Sequence, residues 1–177
     1  MLLTAKKLAF LGVLLAVTVI LIIFSGVFEF NTLFLLGAAS FGVGIALREC
    51  GIRIGFGFYI AAILLSFMFA PNKLYCITFG VMGLFLVIED IAFVKLTYVK
   101  WKKNRSKMFW LVKYIAFNLM FLPIMIFMPK LIYPGEINKG FLIVIFLVGQ
   151  IVLFIYDMAH DYFQKYIWGK LRGKLQL

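Results

Sequence analysis

The sequence predicts an all-α integral membrane protein, built as a single bundle of six transmembrane helices. Apolar residues make up 65% of its 177 residues, and the mean hydropathy is +1.08. Charged residues make up only 14%, whereas soluble domains carry roughly 25%, so too few charges are available to coat a soluble core. Uncharged apolar runs close to the ~17–25 residues that a helix needs to cross a bilayer recur along the whole chain.

The six helices follow from these runs in chain order. The first run, after Lys7, is longer than the ~7–15 residues of a signal-peptide core, so we expect an uncleaved first span. The last three runs reach full length only if they extend across Glu89, Lys113 and Asp157. The predicted helices cover about residues 5–28, 32–47, 52–70, 74–95, 108–129 and 139–163 of one transmembrane domain, residues 1–177.

The basic residues predict the orientation of the bundle. If the N-terminus is cytoplasmic, fifteen of the 18 Lys and Arg residues fall on cytoplasmic segments, and only Lys73, Lys130 and Lys139 fall outside. Such a bias follows the positive-inside rule, so we expect a multi-pass protein of the cell (plasma) membrane with both termini in the cytoplasm. The basic loop 95–107 is then expected to face anionic lipid headgroups, and no nucleic-acid partner is needed to explain it.

Small residues recur every four positions on helices 1 to 3. Helix 1 carries Ala5, Ala9, Gly12 and Ala16. Small residues at this spacing share one helix face and allow another helix to approach closely. Packing within the bundle explains these faces, and so does docking of the helix 1 face onto another protein subunit.

This layout resembles the substrate-capture (S) components of bacterial energy-coupling factor vitamin transporters. The resemblance rests on the short six-helix chain, the small residues of helix 1, the long outer loop "SGVFEFN" and the Gly/Ala-rich helix "GIRIGFGFYIAAILLSFMF". It implies that the helix 1 face docks on a transmembrane coupling subunit that works with ATPase subunits. It also implies that a small vitamin-like substrate binds between helices 4 to 6 and the first outer loop, without cofactors or catalytic residues.

Polar residues in the outer half and middle of the predicted bundle are the candidates for substrate binding. They are Glu29, Asn31, Thr78, Asn118 and Gln150. Polar groups within a bilayer are costly and usually face the bundle interior or a cavity. Asn118 and Gln150 could bind the polar edge of a flat ligand, or they could hydrogen-bond each other across helices 5 and 6. The sequence leaves both interpretations open.

A second polar cluster is predicted at the cytoplasmic level of the bundle. Its members are Glu89, Asp90, Lys113, Asp157, His160 and Asp161. The spacing of the last three residues places them on one helix face, where oxygen ligands and one imidazole could hold a divalent metal ion. Because many basic residues lie at the same level, we expect an ion-pair network, with no bound metal and no enzymatic activity.

Three functional hypotheses follow. The first is a substrate-capture subunit of a small-molecule uptake transporter, with separate coupling and ATPase subunits. The second is a structural or accessory membrane subunit with no ligand. The third is a membrane enzyme that acts on lipid headgroups through the inner acidic cluster.

Overall fold

The chain folds into helices throughout the part that the structure describes. A computed structural model describes residues 4–97, 105–127 and 139–175, with only the backbone described at positions 29, 139 and 175. These residues contain no strand and include six helices long and apolar enough to cross a membrane, which suggests a multi-pass membrane protein. The predicted all-helical layout with six long apolar helices is therefore confirmed.

The six long helices are joined by short connections wherever the structure describes the connection. They are α1 (Ala5–Ser25), α2 (Thr32–Cys50), α3 (Ile52–Phe69), α4 (Lys73–Thr97), α5 (Arg105–Phe127) and α6 (Lys139–Tyr162). A 3-10 turn, Glu29–Asn31, precedes α2. A π-helical segment, Phe163–Trp168, follows α6 and leads into the short helix α7, Gly169–Leu175.

Helix ends differ from the sequence expectation at four places. Helix α1 ends at Ser25, three residues before its expected end near residue 28. Helix α2 continues to Cys50 and stops at Gly51, whose φ of 81° is a backbone conformation that favours glycine. The expected end of the sixth helix near residue 163 is not an end, because the chain stays helical to Leu175. The expected basic loop 95–107 is shorter, since both of its flanks are helical and its middle, residues 98–104, lies outside the described residues.

Helix α2 is the central helix of the bundle. Of the residues in its apolar span 61% are buried, against 11–33% in the other five spans, and it packs against α1, α3 and α4. Small residues on α2 allow this close packing, because a Cβ on Gly42 would collide with the hydroxyl of Thr18 on α1. Gly55 at the start of α3 likewise lies directly against the backbone of Leu47 on α2.

Contacts at the helix ends show that α1 and α2 are antiparallel and that α6 runs parallel to α2. At one end, Lys7 of α1 donates to the carbonyl of Glu49 near the end of α2, and Trp168 after α6 donates to the Glu49 carboxylate. At the other, Thr32 of α2 donates to the carbonyl of Ser25 at the end of α1. We refer to the end that contains Lys7, Glu49 and Trp168 as the basic end.

A matched pair of glycines on α3 tests the packing of α2 on α3. A Cβ on Gly55 would lie 2.6 Å from the Cα of Leu47, whereas a Cβ on Gly57 meets nothing within 4 Å. We expect Gly55→Ala to reduce the free energy of unfolding by about 1–3 kcal/mol, measured by SDS titration in mixed micelles. Gly57→Ala should instead be neutral or stabilising by up to about 1 kcal/mol, through helix propensity. Equal stability of the two variants would contradict this packing.

Candidate functional site

A lysine buried between two carboxylates joins three of the helices. The ammonium of Lys113 on α5 lies 2.7 Å from Glu89 Oε1 on α4 and 2.6 Å from Asp157 Oδ1 on α6. The Lys113 side chain is 3% exposed, so the ion pairs are almost completely removed from solvent. We call Glu89, Lys113, Asp157, His160 and Asp161 the buried ionic cluster.

Aromatic rings cover the charged centre of this cluster. The Lys113 ammonium lies 4.5 Å from the ring centroid of Phe109 and 5.5 Å from that of Trp110, which are cation–π distances. Trp110 in turn stacks on Phe154 of α6 at 5.9 Å. The rings lower the local dielectric constant, which strengthens the attraction between Lys113 and its two carboxylates.

The imidazole of His160 lies on the far side of Glu89 from Lys113. Its Nδ1 atom is 3.7 Å from Glu89 Oε2, and its Nε2 atom is 3.3 Å from the Gln164 amide nitrogen. Gly44 of α2 provides the space, because a Cβ there would lie 2.5 Å from His160 Nε2. Glu89 Oε2, His160 Nδ1 and Gln164 Oε1 are buried and have no hydrogen-bond partner.

Three ligand atoms of the cluster are close enough to share a cation. One atom each from Glu89, His160 and Asp161 lie within 4.8 Å of one another, and Asp161 is exposed to solvent. Two carboxylates and one imidazole are a ligand set that divalent metal ions accept. The expectation that no metal binds here remains a prediction.

The structure assembles most of the ion-pair network that the sequence predicts. Glu89, Lys113, Asp157 and His160 meet, and Asp161 lies beside Glu89 and His160. Asp90 differs, because it is half-buried and its electrostatic partner is Arg48. Consecutive residues of a helix point about 100° apart, so Glu89 and Asp90 face different neighbours.

A second buried acid, Glu49, was not predicted as part of any site. Its carboxylate accepts from Trp168 Nε1 at 2.9 Å and lies 3.2 Å from Arg172 Nε. These contacts tie the π-helical segment and α7 back to α2. These contacts could not be predicted, because Glu49 lies in the expected tight turn "RECGIR" and Trp168 lies beyond the expected end of the sixth helix.

Among the predicted substrate-binding residues whose side chains are described, Asn118 and Gln150 meet, and Asn31 and Thr78 make no hydrogen bond with them. Gln150 Nε2 donates to Asn118 Oδ1 at 3.0 Å, and Asn118 Nδ2 donates to the Tyr114 carbonyl at 2.8 Å. Thr78 is half-buried and donates to its own helix at Leu74. Asn31 is exposed at the start of α2. For Glu29 the backbone lies in the 3-10 turn, and its side chain lies outside what the structure describes.

Aromatic side chains lie at positions next to the Asn118–Gln150 pair. Phe117 and Phe121 of α5 stack at 5.0 Å, and Phe121 fits against Gly149 of α6, where a Cβ would lie 2.5 Å from the ring. The carbonyl oxygen Gln150 Oε1 is buried and has no hydrogen-bond partner. It is the acceptor that the helix pair leaves unused.

An open groove of about 370 Å³ lies on the outside of α3, α4 and α5. Its lining includes Tyr59, Gly80, Leu119 and Pro123 and is apolar except for Tyr59. The hydroxyl of Tyr59 already donates to the carbonyl of Gly80 at 2.7 Å. Of the predicted substrate-binding residues whose side chains are described, none lines this groove.

The predicted docking residues of α1 share an exposed face. Ala5, Ala9, Gly12 and Ala16 are all exposed, and a Cβ on Gly12 would meet nothing within 4 Å. At 3.6 residues per turn these four positions fall within about 60° of one another around the helix axis. They form a narrow stripe of small side chains on the outer surface of the bundle.

Comparison with known proteins identifies no relative. No protein-family model, no curated protein and no solved structure matches the chain. The six apolar helices fit a membrane protein with the layout of the S components.

Replacing Lys113 should lower the free energy of unfolding more than replacing a lysine at the surface. Lys113→Met leaves two buried carboxylates without a counter-charge, so we expect the free energy of unfolding to fall by about 3–5 kcal/mol in the SDS titration. Lys107→Met, the same change at an exposed position of α5, should alter it by no more than about 0.5 kcal/mol. Adding Glu89→Gln and Asp157→Asn to Lys113→Met should recover most of the loss. A triple variant as unstable as the single one would contradict the ion-pair explanation.

Proposed function

We propose that the chain is the membrane-embedded capture subunit of a small-molecule uptake transporter. In this proposal it lies in the cell membrane with both termini in the cytoplasm and docks through α1 onto a separate transmembrane coupling subunit. That subunit works with ATPases, and the chain itself supplies no catalytic residue. The exposed small-residue stripe of α1, defined by Ala5, Ala9, Gly12 and Ala16, is the observation that carries the proposal.

Small residues on an outer face favour a helix partner over lipid. Lipid chains and leucine side chains are equally apolar, so a lipid-facing surface gains nothing from small residues. A partner helix does gain, because its backbone approaches more closely and van der Waals contact increases. The flanking exposed positions of α1, such as Leu8, Val13 and Val17, carry the larger side chains that lipid contact allows.

The other small-residue faces of the bundle provide a comparison. On α2, Gly42, Gly44 and Ala46 are buried, and the first two have other helices directly against them. There the small residues are explained by packing within the bundle. The stripe on α1 has the same spacing and no such neighbour within the described part of the chain, so internal packing does not explain it.

Substrate capture in this proposal uses the polar pair between α5 and α6. The unused acceptor Gln150 Oε1 and the stacked rings of Phe117 and Phe121 provide a polar atom and flat surfaces for a small aromatic donor. Phe121 lies against Gly149 of α6, so a ligand between the rings and Gln150 requires Phe121 to move. A bound ligand would satisfy the buried acceptor, whose lack of a partner costs about 1–3 kcal/mol.

An accessory subunit with no ligand is the second candidate. It is favoured by the direct hydrogen bond between Asn118 and Gln150, which is the contact expected if these amides only hold two helices together. Such interhelical bonds contribute about 0.6 kcal/mol on average. Both candidates use the α1 stripe, so ligand binding decides between them.

Docking is tested by two double variants on neighbouring faces of α1. Gly12→Leu with Ala16→Leu fills the stripe, and Val13→Leu with Val17→Leu enlarges exposed positions beside it. We expect the tagged wild-type chain to co-purify from its native membranes with a multi-span subunit and ATPases, measured as ATP hydrolysis per mole of chain. For the first double variant this activity should be at least about tenfold lower, because bulky residues in the stripe prevent close helix approach. The second double variant should keep the wild-type activity.

Two results would contradict docking through this stripe. One is the retention of the complex by the Gly12→Leu, Ala16→Leu variant. The other is the absence of any co-purifying ATPase from the wild-type preparation, provided that the detergent-solubilised chain remains monodisperse. An equal loss of ATPase activity in both double variants would show that α1 contacts the partner without selecting the small-residue stripe.

Ligand capture is tested by thermal unfolding against a panel of vitamins and nucleobases. A ligand at about 100 times its dissociation constant should stabilise the chain by about 2.7 kcal/mol and raise the unfolding temperature. Gln150→Met, which keeps the side-chain length and removes the amide, should abolish the shift, and Thr78→Val should leave it unchanged. If no compound shifts the wild-type protein, the accessory-subunit candidate is favoured.

A further inference from the structure

We propose that Glu89, His160 and Asp161 form a binding site for a divalent transition-metal ion. The site would lie inside the buried ionic cluster, at the basic end of the bundle. It differs from the predicted substrate site at Asn118 and Gln150, and it does not depend on docking through α1. The proposal rests on ligand geometry, unsatisfied buried atoms, the charge of the cluster and access from solvent.

The geometry requires only a small adjustment. Glu89 Oε2 and His160 Nδ1 are 3.7 Å apart, and all three ligand atoms lie within 4.8 Å of one another. An ion with bonds of about 2.1 Å needs its ligands within about 4.2 Å of one another. Asp161 is exposed, so its side chain can rotate to close the remaining distance.

Two of the ligand atoms lack any partner although they are buried. Glu89 Oε2 and His160 Nδ1 have no hydrogen bond, and their residues are 8% and 9% exposed. Their separation of 3.7 Å is too long for a good hydrogen bond between them. Leaving such buried atoms unsatisfied is costly, and one metal ion would satisfy both.

Gln164 fits the role of a residue that orients the histidine. Its amide nitrogen lies 3.3 Å from His160 Nε2, and its amide oxygen is buried without a hydrogen-bond partner. In this geometry His160 Nε2 accepts from the Gln164 amide and the ring proton is on Nδ1. Binding of a metal at Nδ1 would move that proton to Nε2, and a 180° turn of the Gln164 amide would let Nε2–H donate to Oε1. In that tautomer Nδ1 carries its lone pair toward Glu89, as a metal-binding histidine requires.

The charges of the cluster favour a doubly charged cation. Glu89, Asp157 and Asp161 contribute three negative charges, and Lys113 contributes one positive charge. With His160 neutral, the buried groups keep one net negative charge, and the exposed Asp161 adds a second beside them. A divalent ion would neutralise them, which is favourable because unpaired buried charge is costly.

The ligand types indicate which metals to test. An imidazole is preferred by Zn²⁺, Fe²⁺ and similar ions, while carboxylates also suit Mn²⁺. Mg²⁺ and Ca²⁺ favour sites made only of oxygen atoms. Mn²⁺ and Zn²⁺ are therefore the probes, and Mn²⁺ has the advantage that its bound and free forms are distinguished by electron paramagnetic resonance.

The test uses the full chain in detergent micelles after treatment with a chelator. We expect titration with Mn²⁺ to show one bound ion per chain, and electron spin-echo modulation to show a directly bound imidazole nitrogen. Asp161→Asn should weaken Mn²⁺ binding at least about tenfold, whereas Asp90→Asn should change it by less than about twofold. Both substitutions remove one carboxylate charge, but Asp90 lies outside the ligand set.

His160→Gln supplies the second readout, because it should remove the nitrogen modulation. If this buried variant fails to fold, the Asp161→Asn and Asp90→Asn pair still decides, since neither position is fully buried. Three outcomes would overturn the site: no stoichiometric binding of Mn²⁺ or Zn²⁺ to the wild type, equal losses in the two aspartate variants, or nitrogen modulation that persists without His160.

Discussion

The contact between Lys113 and its two carboxylates is the interaction on which the second half of the bundle depends. It is the one described group that bonds α4, α5 and α6 at a single point. Each charge alone would be costly to bury in an apolar bundle, so the three are stable together only if their geometry is kept. The cluster therefore fixes the depth at which α5 and α6 meet α4, as well as adding to stability.

The attachment of α6 to the central helix α2 follows from that constraint. Tyr156 meets the Ser40 hydroxyl at 2.7 Å, one residue before Asp157, and His160 lies against Gly44 one turn further on. Trp168 and Arg172 then reach Glu49 near the end of α2. A series of polar contacts thus follows one edge of α2. Small residues on that edge leave space for the larger side chains of α6.

The π-helical segment Phe163–Trp168 makes the last of these contacts possible. A π-helical turn changes the direction of the side chains that follow it, relative to an uninterrupted α-helix. Gln164 and Trp168 both lie beyond the expected end of the membrane span, and both are nevertheless buried. The chain therefore remains against α2 past the ionic cluster, and it covers Glu49 with an indole ring that also packs on Phe10 at 5.4 Å.

The helices could be predicted from the sequence, whereas most contacts between them could not. Bilayer thickness limits span length, so the six runs and the common depth of Glu89, Lys113 and Asp157 could be predicted from spacing alone. Spacing also predicts that the small residues of α1 share a face. It does not reveal which neighbour that face meets, since this depends on how six faces are matched in three dimensions.

For the same reason, Gly44 and Gln164 could not be recognised as neighbours of His160. Their roles arise from the close approach of α2 to α6, which no local pattern encodes. Glu49 was missed because its partners follow an interruption of α-helical periodicity. Asp90 was included because adjacent acids look equivalent in a sequence, although helix geometry directs them to different neighbours.

The ion pairs explain only part of the buried ionic cluster. Lys113 satisfies one oxygen of Glu89 and one of Asp157, and a purely structural network would need nothing more. It leaves Glu89 Oε2 and His160 Nδ1 facing each other without a hydrogen bond, at a distance that an ion between them would fit. A protonated His160 would supply one positive charge there, and a divalent metal would supply two while also drawing in the exposed Asp161. The buried groups alone, Glu89, Asp157 and Lys113, carry one net negative charge, which a proton on His160 would balance. The exposed Asp161 adds a second negative charge, so Asp161 is the residue that distinguishes a metal site from a purely structural ion-pair network.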